Sequence, residues 1–113
     1  MDEAAGEWAN EVRLVGRVSA EAHERELPSG DTVASLRLVV PRPARGRASP
    51  GRGSGVDTID VSCWTARTRR TARGLAPGDV VAVEGALRRR FFKAGGAAAS
   101  RYEVEATRVR RST

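Results

Sequence analysis

Residues 86–92, ALRRRFF, set three arginines directly before two phenylalanines. Guanidinium groups hold phosphates and exposed aromatic rings stack on nucleobases, so this mixture has the chemistry to grip a single-stranded nucleic acid. Which residues are free to do so depends on the face each side chain takes. In an extended segment, successive side chains point to opposite sides. Phe91 then continues the apolar stripe of Val81, Val83, Gly85 and Leu87, while Arg88, Arg90 and Phe92 share the other face. Trp64 leaves the apolar stripe of its own segment in the same way and joins Ser62 and Thr58 outside. The plain account of Phe92 is packing under a loop or in a subunit contact, and that of Trp64 is a ring covering the end of the core beside a helix. Two outward rings near strand ends, set among arginines, suit instead a platform on which bases stack while cations track the phosphates. Each stacked base would contribute on the order of 1–3 kcal/mol.

Other side chains with reactive potential form no second site. The glycines of GRGSG at 51–55 suggest a phosphate cradle, but a strand follows them where a nucleotide loop needs a helix. His23 stands among Glu21, Glu24 and Glu26 with no nucleophile at a recognisable spacing, which reads as a solvated surface histidine. One cysteine allows no intramolecular disulfide, and one histidine without paired cysteines gives no metal site. Cys63 falls on an inward stripe as a small core residue. Neither catalysis nor a cofactor is expected.

The charge points the same way as the rings. The 113 residues carry 20 Lys and Arg against 14 Asp and Glu, for a net +6. Residues 1–31 hold eight of the acids but three of the bases, so residues 32–113 carry +11. Such an excess attracts nucleic acid, acidic partners or anionic membrane. No apolar run reaches the roughly 18 residues of a membrane span, and the acidic start MDEAAGEWAN is unlike a secretory signal. A cytoplasmic, nucleoid-associated protein without membrane contact is expected. The length suits one domain.

The elements that must position the rings follow from period-two alternation between turn signals, which predicts an all-β fold of five strands. Strand one, NEVRLVGRVS, sets Val12, Leu14, Gly16 and Val18 against Arg13, Val15 and Arg17. The turn LPSGD at 27–31 leads to strand two, TVASLRLVV, which sets Ala34, Leu36, Leu38 and Val40 against Val33, Ser35, Arg37 and Val39, as a hairpin partner of strand one. Residues 41–55 hold three prolines, four glycines and four arginines (Arg42, Arg45, Arg47 and Arg52) with no large apolar side chain, and read as a mobile basic loop. Strand three, VDTIDVSCW, turns Ile59, Val61 and Cys63 inward. A short helix follows, capped by Thr65, stopped by Gly74 and anchored by Ala66, Ala72 and Leu75. Its arginines Arg67, Arg69, Arg70 and Arg73 read as a solvated face, and Arg108, Arg110 and Arg111 as a fraying end or an extension of the positive surface. Strand four is VVAVEGALRRRFF, KAGGAAAS is a hairpin tip, and strand five, RYEVEATRV, sets Tyr102, Val104 and Ala106 against Glu103 and Glu105.

Strand, strand, strand, helix, strand, strand is the order of an OB-fold, a five-stranded Greek-key barrel with one short helix between strands three and four. It is placed at residues 10–110, after a flexible acidic segment at 1–9 and before a C-terminal end at 111–113. In that order NEVRLVGRVS, LPSGDTVASLRLVV, IDVSCW, LAPGDVVAVEGALRRRFF and RYEVEA resemble the successive signatures of the bacterial single-stranded DNA-binding protein family over residues 10–109. The resemblance implies nonspecific binding of single-stranded DNA in replication, repair or recombination, no catalysis, and a homotetramer for which Val15, Val33 and Val39 are outward contacts. It matches Trp64 to an aromatic closing the third strand and Phe92 to a stacking aromatic near the end of the fourth. Two further platforms common in the family are missing, where this chain has Ala44 or its neighbours and Thr58. Phosphate contacts by Arg17, Arg37, Arg42, Arg45, Arg47, Arg52, Arg88 and Arg90 are expected to carry more of the binding, and steepen its salt dependence by roughly 0.7 per phosphate. The basic ending RVRRST stands where the family carries an acidic tip, so a complete chain is expected not to recruit enzymes by that route. An OB-fold assembly or primosome-like subunit remains an alternative, as does an RNA-binding OB module.

Overall fold

The computed structural model describes residues 6–43 and 55–112. Within them the elements are β1 (Val12–Val18), β2 (His23–Glu26), β3 (Thr32–Pro41), β4 (Val56–Cys63), α1 (Ala66–Arg73), β5 (Val80–Ala94) and β6 (Ala97–Arg111). Five strands close a ring in the order β1, β5, β6, β4, β3 and back to β1. Every pairing in it is antiparallel except that of β4 with β6. With α1 between β4 and β5, this is the expected OB-fold.

The ring is filled by alternate side chains of each strand. Val18, Leu38, Val61, Val81, Val83 and Cys63 are fully buried, joined by Ala34, Leu36, Val104 and Ala106, and Val12, Leu14, Val40 and Ile59 pack half-buried against them. Close approach at the seam where β1 crosses β3 needs Gly16, where a Cβ would stand 2.7 Å from the carbonyl oxygen of Val39. Helix α1 seats Thr68 and Ala72 toward the core, and Leu75, just past its end, is buried with them. Thr65 caps it by accepting from the Thr68 amide at 3.1 Å, and Gly74 ends it. Ala66 is exposed, so the first anchor of the helix is Thr68, whose hydroxyl is satisfied within the same turn by Thr65.

Other departures from expectation have local causes. A sixth strand, β2, lies outside the ring on the edge of β3. All four of its residues, HERE, are exposed and polar, so no alternation marks them. The LPSGD turn therefore joins β2 to β3, and β1 meets β3 only at Arg17–Val39 and Val18–Leu38. Val33 and Val39 are buried rather than outward: β1 crosses over Val39, while Val33 lies where β2 and α1 meet β3. The last hairpin is longer than expected, because the tip residues pair through Phe92–Ala99, Lys93–Ala98 and Ala94–Ala97. Only Gly95 and Gly96 form the turn, at φ 60° and 86°, the double positive φ of a two-residue hairpin. This ribbon outruns the barrel. Leu87, Phe91 and Tyr102, on its inward side by alternation, are consequently 45%, 74% and 59% exposed instead of joining the core.

Candidate nucleic-acid interface

Register across the ring assembles an outer face. On β5 and β6, Ala86, Arg88, Arg90 and Phe92 stand opposite Glu105, Glu103, Arg101 and Ala99. The parallel pair Ser62–Glu105 brings β4 alongside, and Arg37 of β3 faces Asp60 of β4. Trp64 follows β4 on the same side as Ser62, which is itself buried where β6 pairs alongside instead of lying outside as expected. Trp64, Phe92, Arg37, Arg88 and Arg90 thus share one surface, as alternation predicts.

The arginines there are held in place by carboxylates. Arg37 donates through Nε to Asp60 at 3.1 Å, and Arg88 through Nε to Glu105 at 3.1 Å. Arg90 donates to Glu103 at 3.0 Å and to Glu105 at 2.9 Å, while its guanidinium lies over the Trp64 ring, 5.2 Å from the centroid. Arg101 lies over Phe92 at 5.6 Å and within 3.8 Å of Glu103. Four guanidiniums therefore face three carboxylates. A guanidinium has five N–H donors, and Arg37 and Arg88 each give one to these bonds. The carboxylates fix where the guanidiniums stand and leave donors facing solvent, at the cost of most of the face's net charge.

The two rings differ in setting. Phe92 is 42% exposed. Trp64 is half-buried, with its indole Nε1 enclosed and without a hydrogen-bond partner among the described residues. Arg69 holds the end of β4 by donating to the carbonyls of Trp64 and Thr32. The ring is thus set by its own backbone, and both readings of Trp64, cover for the barrel end and platform, have structural support.

The other expected site residues are dispersed. Arg42 forms a two-donor bond to Asp57 at the base of the loop, at 3.0 and 2.8 Å, and that carboxylate holds its guanidinium pKa above the ordinary arginine value. Arg17 is exposed on β1 opposite Val39 and Val80, with no ion pair among the described residues. Arg45, Arg47 and Arg52, with most of the basic loop and Ala44, lie outside the described residues. Thr58 is exposed on the outer face, and His23 is exposed on β2.

Sequence reasoning missed Arg101 and the carboxylates Asp60, Glu103 and Glu105. It also missed a second cluster on the opposite side of the ribbon, where the Arg89 guanidinium sits 5.1 Å from the Phe91 ring and 5.5 Å from the Tyr102 ring. The signal was Gly95–Gly96: read as a two-residue turn, it sets Arg89 opposite Tyr102 and Arg90 opposite Arg101.

Nothing else in the described residues offers chemistry of another kind. No group of three potential metal ligands occurs among them, and no helix there is long and apolar enough to cross a membrane. Burial pushes the Cys63 thiol up to about 11, so it stays protonated at neutral pH.

An OB barrel bearing aromatic rings among oriented guanidiniums defines the class of nucleic-acid-binding OB proteins. Residues 9–112 match the profile of the single-strand binding protein family, and the chain belongs to that family. Among solved structures, it is similar to the SSB of Plasmodium falciparum in complex with ssDNA, at 22% identity and a TM-score of 0.80, with 100% of each chain covered. It is also similar to a small single-stranded DNA-binding protein from Streptomyces coelicolor, at 22% identity and a TM-score of 0.65, covering 90% of this chain and 93% of that one. At such identities the likeness is one of fold. No curated protein matches the chain.

Proposed function

We propose that this protein binds single-stranded DNA without sequence preference, stacking bases on Trp64 and Phe92 while the outward N–H groups of Arg37, Arg88 and Arg90 hold phosphates. The observation that carries the reading is the shared outer face, on which both rings lie against guanidiniums already oriented by carboxylates. Arg42 extends the contact at one end and Arg17 on β1 flanks it, and further phosphate contacts are proposed for Arg45, Arg47 and Arg52, which lie outside the described residues. Stacking is indifferent to base identity because every base has a π-face. The role we propose is protection of single strands in replication, repair or recombination, in the cytoplasm, a reading that family membership supports. The proposed assembly is a homotetramer. Exposed Val15, Leu87, Phe91 and Tyr102 favour such an assembly, since apolar surface of this kind is commonly covered by a partner.

The test is a tryptophan-fluorescence titration with oligo(dT) in a Trp8→Phe background, so that Trp64 alone reports. Quenching by oligo(dT) that duplex DNA does not reproduce is the expected result, with Trp64→Ala and Phe92→Ala each weakening binding by about 1–3 kcal/mol by anisotropy. Binding that leaves Trp64 unquenched and survives Trp64→Ala would make the ring structural. No binding by either probe would leave assembly as the main role.

A further inference from the structure

The helix arginines, which read as one solvated face in the sequence, part company in the structure. Arg69 is spent on backbone carbonyls and Arg73 on Glu24, at 3.1 Å. Arg67 has no ion pair among the described residues, and neither does Arg108 on β6. These two line one groove of about 310 Å³ between α1 and β6, together with Thr68, Thr71, Thr107 and Val109. The lining contains no carboxylate, in contrast to the aromatic face, where each guanidinium has one.

The groove is also where the fold opens β6. Glu84 pairs with Arg108 and Gly85 with Ala106, so Thr107 is an extra residue, and its hydroxyl donates to the Glu84 carbonyl at 3.1 Å. Across the groove the Thr71 hydroxyl donates to the Arg67 carbonyl at 3.3 Å, a long bond that can be redirected to an anion. The groove adjoins the aromatic face. The last β4–β6 pair is Ser62–Glu105, and two residues further along the two strands come Trp64 and Thr107. Arg67 follows Trp64 by three residues, at the start of the helix. Past the groove, Arg110 continues along β6 opposite Ala82.

We propose that this groove is a phosphate site for the same single strand, taking its backbone as it leaves Trp64 and carrying it over the barrel end between Arg67 and Arg108. The inference rests on the function proposed above. It divides the labour between two surfaces: the outer face, nearly neutral, holds bases, while the groove, whose two guanidiniums form no ion pair among the described residues even though Glu84 is the cross-strand neighbour of Arg108, holds charge. The occupant is a nucleic-acid phosphodiester, since the groove has donors and no ring on which a base could stack.

The experiment compares the Trp8→Phe protein with its Arg67→Ala/Arg108→Ala and Arg67→Lys/Arg108→Lys derivatives, using oligo(dT) of increasing length and salt titrations by anisotropy. Oligomers just long enough to quench Trp64 should bind the three proteins alike. For longer oligomers the alanine variant should lose about 1.4 from the slope of log affinity against log salt, two phosphates at roughly 0.7 each. The affinity gap to the parent should therefore widen roughly 25-fold for each tenfold drop in salt, and the lysine variant should recover most of it. Equal slopes and affinities at every length, with Trp64 still quenched, would overturn the groove while leaving the aromatic face intact. Loss at the shortest length as well as the longest, at unchanged melting temperature, would place these arginines in the platform itself and overturn the division of labour. If the Trp8→Phe protein bound no oligomer at all, the underlying function would fall and the groove with it.

Discussion

At the scale of single residues, the outer face is governed by how charge is compensated. Glu103 is only 7% exposed at its side chain and lies beneath both Arg90 and Arg101, while Glu105 is shared by Arg88 and Arg90. The pairs of Glu105, whose side chain is 32% exposed, contribute little to stability, about 0–1 kcal/mol each. Their effect is on binding, because each carboxylate competes with phosphate for the same donors. Glu105→Gln should therefore bind oligo(dT) more tightly at low salt, by a few-fold, and steepen the salt slope by up to about 0.7. Salt-dependent anisotropy checks this, and unchanged affinity would mean that Arg88 and Arg90 do not contact phosphate. None of this compensation was legible in the sequence. Alternation gives the face of a side chain, but the partner across the ladder depends on register, and register follows from a turn whose two glycines were absorbed into a longer tip.

At the scale of elements, most strands were legible because a half-buried strand must alternate, and β1, β3, β4 and β5 do so over their barrel portions. The helix was legible through its caps. Two kinds of element failed: β2, whose four polar residues have no apolar face to reveal them, and the outer halves of β5 and β6, which alternate as though buried although the barrel has ended. Two places where elements meet give predictions. At Gly85 a Cβ would lie 2.1 Å from the carbonyl oxygen of Glu105, in the middle of the β5–β6 ladder. Gly85→Ala should destabilise the fold by at least about 1–3 kcal/mol as the ladder shifts, measurable by urea unfolding. In the turn from α1 to β5, Asp79 accepts from the Ala76 amide at 2.8 Å and from Arg111 at 3.1 Å. The backbone bond first, and Arg111 second, hold its carboxyl below its ordinary value of 3.8. A depressed folded pKa contributes stability above the ordinary value and loses it as pH falls through the folded one. Asp79→Asn should therefore melt lower than the parent at pH 7, with the gap closing below about pH 4.

For the molecule as a whole, composition showed that residues 32–113 are strongly basic, and ordered motifs carried the barrel and the family. Composition could not show where positive charge stays unopposed, since that depends on which arginines the fold sets beside Asp and Glu. Assembly belongs to this scale too. Val33 and Val39, expected to face a partner, are inside, while Val15 on the barrel and the ribbon cluster of Leu87, Phe91 and Tyr102 are among the apolar side chains that stay exposed. Sedimentation at micromolar concentration should show a species heavier than the 12.1 kDa chain, near four times its mass. Phe91→Ser combined with Tyr102→Ser should reduce that mass without unfolding the barrel, because both side chains lie beyond its core. A monomer in the unmodified protein would remove the tetramer.

The plate of Arg90 over Trp64 has a bearing on movement. A guanidinium is flat, delocalised and close in thickness to a nucleobase, so the unliganded ring already wears a substitute for its proposed ligand. Under the stacking proposed for Trp64, an arriving base would exchange with this guanidinium instead of covering bare indole, and a departing base would be replaced by it. Neither step would leave naked apolar surface in water, and the hurdle between one nucleotide and the next would be lower for it.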